Sequence, residues 1–244
     1  MERDMPRLAV LIDAENAQLT ILSGLLAEIA KFGTASVKRV YGDFTSPTLA
    51  SWRDQLLAHS IQPIQQFRNT VHKNASDSAL IIDAMDLLHS KKFDGFCIVS
   101  SDSDFTRLAS RIREEGLSVY GFGEQKTPNS FIAACDKFTY TEVLRPPEPS
   151  ASGPAVVRSD AVGKDTEIAR HLKDAVESCA DDDGWASLGA VGSVVTNHLP
   201  VFDPRHYGFK KLSALVEATG LFDLQKRGGE GAASLFVKLK PESA

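Results

Sequence analysis

Cysteine is scarce in this chain. There are three, Cys97, Cys135 and Cys179, and no Cys-x-x-Cys pair. A disulfide framework and a structural zinc site are therefore not expected, and the thiols read as free groups in a reducing compartment. Long apolar runs are missing as well. No stretch reaches the roughly eighteen residues that a membrane-spanning helix requires. The charged start, Met1-Glu2-Arg3-Asp4, leads directly into an apolar strand and leaves no room for a signal peptide, so a cytoplasmic location is expected. Neither Gly-x-x-x-x-Gly-Lys-[Ser/Thr] nor Gly-x-Gly-x-x-Gly occurs, which counts against P-loop and dinucleotide phosphate cradles. The six histidines are scattered and form no Ser/His/Asp or Cys/His set. Excess positive charge is lacking too: the net charge is −5. That argues against a strongly basic nucleic-acid binder, but a carboxylate-lined metal site adds negative charge, and local basic patches decide phosphate contact.

What is present is ordinary in bulk and specific in detail. With 43% hydrophobic and 24% charged residues over 244 positions, the chain suits one large or two small globular domains. The most informative stretch is Ile98-Val99-Ser100-Ser101-Asp102-Ser103-Asp104-Phe105. The apolar run 96–99 reads as a buried strand. It ends in two small hydroxyl residues and then Asp-Ser-Asp. A helical pattern follows, with Phe105, Leu108, Ala109 and Ile112 on one face and Arg107, Arg111 and Arg113 on the other. Open α/β sheets bind ligands at the carboxyl ends of their strands, and two carboxylates with small neighbours there suit a hard divalent cation. The competing reading is that Asp102 or Asp104 only caps the helix.

A second strand ends the same way. Leu8-Ala9-Val10-Leu11-Ile12 is a near-continuous apolar run, as in a strand buried on both faces of a parallel sheet, and it ends at Asp13-Ala14-Glu15-Asn16. Asn16 can cap the next helix or turn its amide toward the same crevice. Between these two strands, His72-Lys73-Asn74-Ala75-Ser76-Asp77 runs into a helix whose first turn holds Asp77, where an acid suits the helix dipole. Asp83 lies mid-helix among apolar neighbours and ranks below Asp77 as a site residue; it reads as an exposed acid or an anchor, and Asp86 reads as solvent-facing.

The first half alternates strands (8–12, 35–41, 61–66, 96–99, 117–122 and a short last one near 138–141) with helices (17–31, 48–59, 76–90, 104–115, 129–134). This pattern predicts a parallel sheet with helices on both faces. A Pro-rich tether follows over 146–161, which cannot sustain helix or ladder. The last part, 162–244, reads as three helices and a glycine-linked hairpin, a small winged helix-turn-helix.

These pieces resemble two known families. Ile12-Asp13-Ala14-Glu15-Asn16, Lys73-Asn74-Ala75-Ser76-Asp77, Ile82-Asp83-Ala84-Met85-Asp86, and Ser100-Ser101-Asp102-Ser103-Asp104-Phe105 with Arg113-Glu114-Glu115-Gly116 are similar, in that order, to the NYN domain. That is the LabA-like branch of the PIN-like nucleases, and the resemblance covers residues 5–145. It implies a PIN-like (Rossmannoid) α/β parallel-sheet fold and a metal-dependent ribonuclease site. Asp13, Asp77, Asp102 and Asp104 would be its acidic, metal-binding and catalytic residues, and Asn16 their polar neighbour. Residues 162–240 resemble the OST-HTH, or LOTUS, domain through Gly184-Trp185-Ala186-Ser187-Leu188-Gly189 and Phe202-Asp203-Pro204-Arg205-His206-Tyr207-Gly208-Phe209-Lys210-Lys211-Leu212. That resemblance implies RNA or protein partners.

The expected function is hydrolysis of RNA with Mg²⁺ or Mn²⁺ at the Asp cluster. Lys73, Arg107, Arg205, Lys210 and Lys211 are expected to contact RNA phosphates, with Arg68 and Arg111 as further flanking charges and Lys226 and Arg227 in reach from the wing. Tyr207 and Phe209 read first as packing residues. A non-catalytic RNA or protein adaptor is the alternative. A small-molecule phosphatase of the Asp-x-Asp type fits poorly, because Asp13 is followed by Ala14 and Glu15.

Overall fold

The computed structural model describes residues 5–67, 75–145, 167–227 and 234–241. The chain divides into two compact units, Met1–Pro147 and Glu148–Ala244. The break falls within the expected tether, which lies outside the described residues, as do Arg68, His72, Lys73 and residues 228–231 of the expected hairpin loop, whereas Lys226 and Arg227, expected in that loop, end the strand Phe222–Arg227.

The first unit is a six-stranded parallel sheet. Its strands are β1 (Arg7–Asp13), β2 (Thr34–Gly42), β3 (Gln62–Gln65), β4 (Gly95–Val99), β5 (Ser118–Gly123) and β6 (Lys137–Tyr140), in the order β3-β2-β1-β4-β5-β6. Helices α1 (Leu22–Ile29), α2 (Trp52–Ala58), α3 (Ala75–His89), α4 (Thr106–Glu114) and α5 (Asn129–Ala134) connect them. β1 is the central strand, and Leu8, Ala9, Val10, Leu11 and Ile12 are fully buried. Each such Leu, Val or Ile side chain contributes about 1.5–3 kcal/mol by leaving water. The end of the unit closes on the core through the turn Thr141–Leu144: at Gly24 of α1 an added Cβ would lie 2.2 Å from the Leu144 carbonyl oxygen.

The chain builds outward from β1 to β2 and β3. It then crosses back through α3 to place β4 on the other side of β1. The strand order reverses between β1 and β4, and their carboxyl ends frame the crevice where such sheets hold ligands. A crossover helix starts at the carboxyl edge and runs back antiparallel to the strands, so topology alone brings the first turn of α3 to that crevice. Asp83 fixes the helix there. Its carboxylate accepts from Arg39 Nη1 and Tyr41 Oη, both on β2, which is the anchoring alternative considered for this residue. Asp86 is exposed, as expected.

Three expected helix starts differ. The helices expected over 17–31, 48–59 and 104–115 open with 3-10 turns, Leu19–Ile21, Pro47–Leu49 and Ser103–Phe105. In two of them a short side chain bonds the amide two residues on: Ser46 accepts from Thr48, and Asp102 from Asp104. Local bonds of this kind compete with the α-helical ladder.

The second unit contains α6 (Glu167–Cys179), β7 (Trp185–Ser187), α7 (Leu188–His198), α8 (Leu212–Thr219), β8 (Phe222–Arg227) and β9 (Ser234–Leu239). Its sheet has the order β7-β9-β8, all antiparallel. Three helices with a strand and a hairpin make a winged helix-turn-helix. The sequence pattern yields the hairpin but not β7, whose three residues owe their conformation to pairing with β9. Cys97 and Cys135 are buried free thiols and Cys179 is half-buried. No helix among the described residues is long and apolar enough to cross a membrane.

Replacing Asp83 by Ala should lower the unfolding free energy by about 2 kcal/mol, because it strands Arg39 and the Tyr41 hydroxyl. Urea denaturation measures this, and an unchanged midpoint would mean that α3 is held by apolar packing alone.

Candidate metal centre

Three carboxylates meet at the crevice. Asp77 on the first turn of α3, and Asp102 and Asp104 after β4, each present an oxygen within 4.8 Å of the others. Asp77 and Asp102 are half-buried and Asp104 is exposed. The capping reading of Asp102 also holds, since its Oδ1 accepts from Asp104 N at 2.9 Å. Capping and clustering coexist in one residue.

Asp13 stands beside this group rather than in it. It is 1% exposed. Its Oδ2 accepts from Asn16 Nδ2 at 2.7 Å and Ser100 Oγ at 2.8 Å, and its Oδ1 accepts from Glu15 N at 3.0 Å. Burial raises its pKa, while these donors pull it back down. Asn16 thus turns its amide to Asp13 and caps nothing, one of the two roles its position allowed.

Two residues not singled out by sequence prove structurally central. Ser100, 1% exposed, donates to Asp13 on β1 and accepts from Asp102 N at 3.1 Å. Ser101, 8% exposed, accepts from Glu124 N at 2.9 Å, beyond β5. The hydroxyl pair stitches three strand ends together. Its signal was visible: hydroxyls at a buried strand end need partners. Glu15 adds another carboxylate, and Ser76 Oγ lies 3.5 Å from its Oε1.

The electrostatic result is concentrated at Asp77, whose pKa is pushed up to about 6, first by burial and then by the charges of Asp13, Asp102, Asp104 and Glu15. No ion pair among the described residues reaches Asp13, Asp77 or Asp102. Repelling hard oxygen donors at one point suit Mg²⁺ or Mn²⁺, which take carboxylate oxygens and retain waters. The donor set therefore fits such an ion.

The expected phosphate-contacting residues fare differently. Arg107 is 84% exposed on α4, 3.8 Å from Glu114. Lys210 and Lys211 are exposed at the start of α8. Arg205 folds back on Asp203, with its Nε 3.0 Å from each carboxylate oxygen. This pairing holds the buried Asp203 carboxyl below its ordinary range against desolvation. Removing Arg205 would strand Asp203, so Arg205 has a structural duty whatever else it contacts. Tyr207 and Phe209 pack against the core of the unit, as expected.

The raised Asp77 pKa has a sign that stability can read. A carboxyl whose folded pKa exceeds its unfolded 3.8 favours the fold fully only below that value, and the benefit is lost as pH rises through about 6. In EDTA at pH 7.5, Asp77→Asn should therefore be more stable than the parent by roughly 1 kcal/mol, after solvent screening of a half-buried group. At pH 3.5 the gain should vanish. Equal melting temperatures at pH 7.5 would mean that the carboxylates do not strain one another.

No curated protein matches the chain. Among solved structures, a protein of unknown function from Vibrio parahaemolyticus is 19% identical, with 57% of this chain and 95% of that one covered and a TM-score of 0.48. An uncharacterized protein from Nitrosomonas europaea is 35% identical over 41% of this chain and 90% of its own, with a TM-score of 0.31. A protein from Chromobacterium violaceum, solved over residues 175–257, is 30% identical over 32% and 84%, with a TM-score of 0.28. Residues 164–232 match the OST-HTH/LOTUS domain. Residues 7–143, more than half of the chain, match the NYN domain and carry the acidic crevice, so the chain belongs to the NYN domain family and has an OST-HTH/LOTUS domain after it.

Proposed function

We propose that the protein is a ribonuclease that hydrolyses RNA phosphodiester bonds with Mg²⁺ or Mn²⁺, and that its C-terminal domain binds the RNA. The observation that carries this reading is the meeting of Asp77, Asp102 and Asp104 at the switch point between β1 and β4. These three residues would hold the ion. When bound, the ion supplies positive charge for the phosphate and acidifies water for attack. Asp13 supports the three acids as a fourth carboxylate. Its hydrogen bonds to Asn16 and Ser100 fix it behind the other three, where its charge adds to the repulsion at Asp77 that a bound cation would relieve. Ser100 also positions the Asp102 backbone, which sets the direction of that side chain.

In this reading residues 1–145 cut, residues 146–161 tether and residues 162–244 bind. Lys210 and Lys211 at the start of α8 contact phosphate, with Arg205 in support; Arg107 on α4 adds a further phosphate contact, as does Lys73, which lies outside the described residues. An acidic crevice attracts RNA poorly by itself, so a tethered binding domain raises the local RNA concentration.

The direct test is cleavage of single-stranded and structured RNA by the full chain. Activity is expected with Mg²⁺ or Mn²⁺ and none with EDTA. Asp102→Asn should lower it at least about 100-fold, since loss of even an indirect partner of a metal costs 10–100-fold. Asn still caps the turn, so the fold should survive. Cleavage unaffected by Asp102→Asn would place the activity elsewhere.

Lys210→Ala with Lys211→Ala should weaken single-stranded RNA binding and reduce the salt slope by about 1.4, at roughly 0.7 per lost contact. An unaltered slope would favour the adaptor reading, with a protein partner on this domain.

A further inference from the structure

The outer face of the C-terminal sheet carries chemistry that neither the core nor the acidic crevice uses. Opposed residues of an antiparallel pair share a face, so Trp185 and Ser187 of β7, Phe236 and Lys238 of β9 and Arg227 of β8 all point one way. Their neighbours Ala186, Val237 and Phe222 point into the core. Trp185 and Phe236 are half-buried, yet among the described residues neither belongs to that core. Two large rings on the solvent side of a small sheet need a reason.

Arg227 supplies it. Its guanidinium reaches across β9 and lies 4.8 Å from the centroids of both rings. Its Nε donates to Gln225 Oε1 at 3.0 Å, and Asp181 stands 3.7 Å away. Lys238 Nζ lies 6.0 Å from the Trp185 ring and is held by the Asp183 carbonyl at 2.7 Å. These cations are ordered before any ligand arrives, so less side-chain freedom is lost when one binds.

We propose that this face is a base-stacking surface for single-stranded RNA. One or two bases stack on the Trp185–Arg227–Phe236 layer, and Lys238 faces the adjoining phosphate. Unpaired bases present π faces that stack on aromatic rings and guanidinium planes, whereas paired bases in a duplex do not. Rings interleaved with cations suit that ligand better than an apolar protein surface, which would leave Arg227 and Lys238 desolvated. The proposal rests on the RNA-binding reading above, but it selects single strands and a surface apart from Lys210 and Lys211.

The test uses the full chain in EDTA, with fluorescein-labelled decauridine and a labelled RNA duplex as probes in fluorescence anisotropy. Trp185→Ala should weaken decauridine binding about tenfold, the value of one stacked base. Trp185→Phe should stay within about threefold of the parent, and duplex affinity should not change. Trp52 is 3% exposed, so quenching of tryptophan emission by decauridine in the unaltered protein reports Trp185 independently of any variant's folding. Unquenched emission at saturation overturns the proposal. So does decauridine binding by both Trp185→Ala and Arg227→Gln with the parent's affinity; RNA binding through α8 would then stand and this face would be left to a protein partner. An equal loss for duplex and single strand overturns the single-strand claim. A parent chain that binds neither probe removes the RNA reading and this proposal together.

Discussion

Negative charge collected at one point of a sheet edge has to be held there against its own repulsion, and the first unit is organised around that requirement. The carboxylates arrive on three separate segments, at the end of β1, on α3 and after β4, so no local conformation can relax them apart. Asp13 is restrained by three hydrogen bonds, Asp102 by the Asp104 amide, and the helix bearing Asp77 by the bond of Asp83 to β2. The strain is not spread evenly. Asp13 is the most buried, and its donors offset only part of its desolvation, so its pKa stays raised. Asp77 has no such donors among the described residues to compensate, and its pKa is pushed up to about 6. A divalent ion would relieve the same repulsion that a proton relieves at low pH, and the two compete for one site.

Much of this was legible because buried parallel strands write themselves as unbroken apolar runs. An acid directly after such a run must sit at a carboxyl edge. Leu8 to Asp13 and Phe96 to Asp102 announce two such ends, and their adjacency follows once the chain crosses through α3. The first turn of α3 was legible for the same topological reason. What sequence could not give was depth. Asp13 and Asp102 look alike as acids beyond strands, yet one is enclosed by donors and the other opens toward Asp77 and Asp104. That difference depends on Ser100, a residue whose partner lies 87 positions away.

Other misses have equally specific causes. β7 is three residues long, and its pairing with β9 spans about fifty positions, so no periodicity could reveal it. Arg205 reads in sequence as one member of a basic cluster with Lys210 and Lys211. Only the structure shows that Asp203, two residues earlier, takes up its guanidinium. Two of the three 3-10 helix starts carry side-chain bonds accepted by Ser46 and Asp102, which an apolar pattern does not register.

The net charge of −5 appeared to weigh against nucleic acid. It weighs less once the charges are located. The crevice concentrates acids where a cation would neutralise them. The cations of the second unit are sorted by use: Arg205 is tied to a buried acid, Arg227 and Lys238 are set among aromatic rings, and Lys210 and Lys211 are exposed beside a helix start. A chain arranged this way does not need a basic average to engage RNA. In the proposed reading most of the phosphate contacts fall to the second unit and the cation site to the first, because lysines placed directly among the acids would neutralise the charge on which cation binding depends.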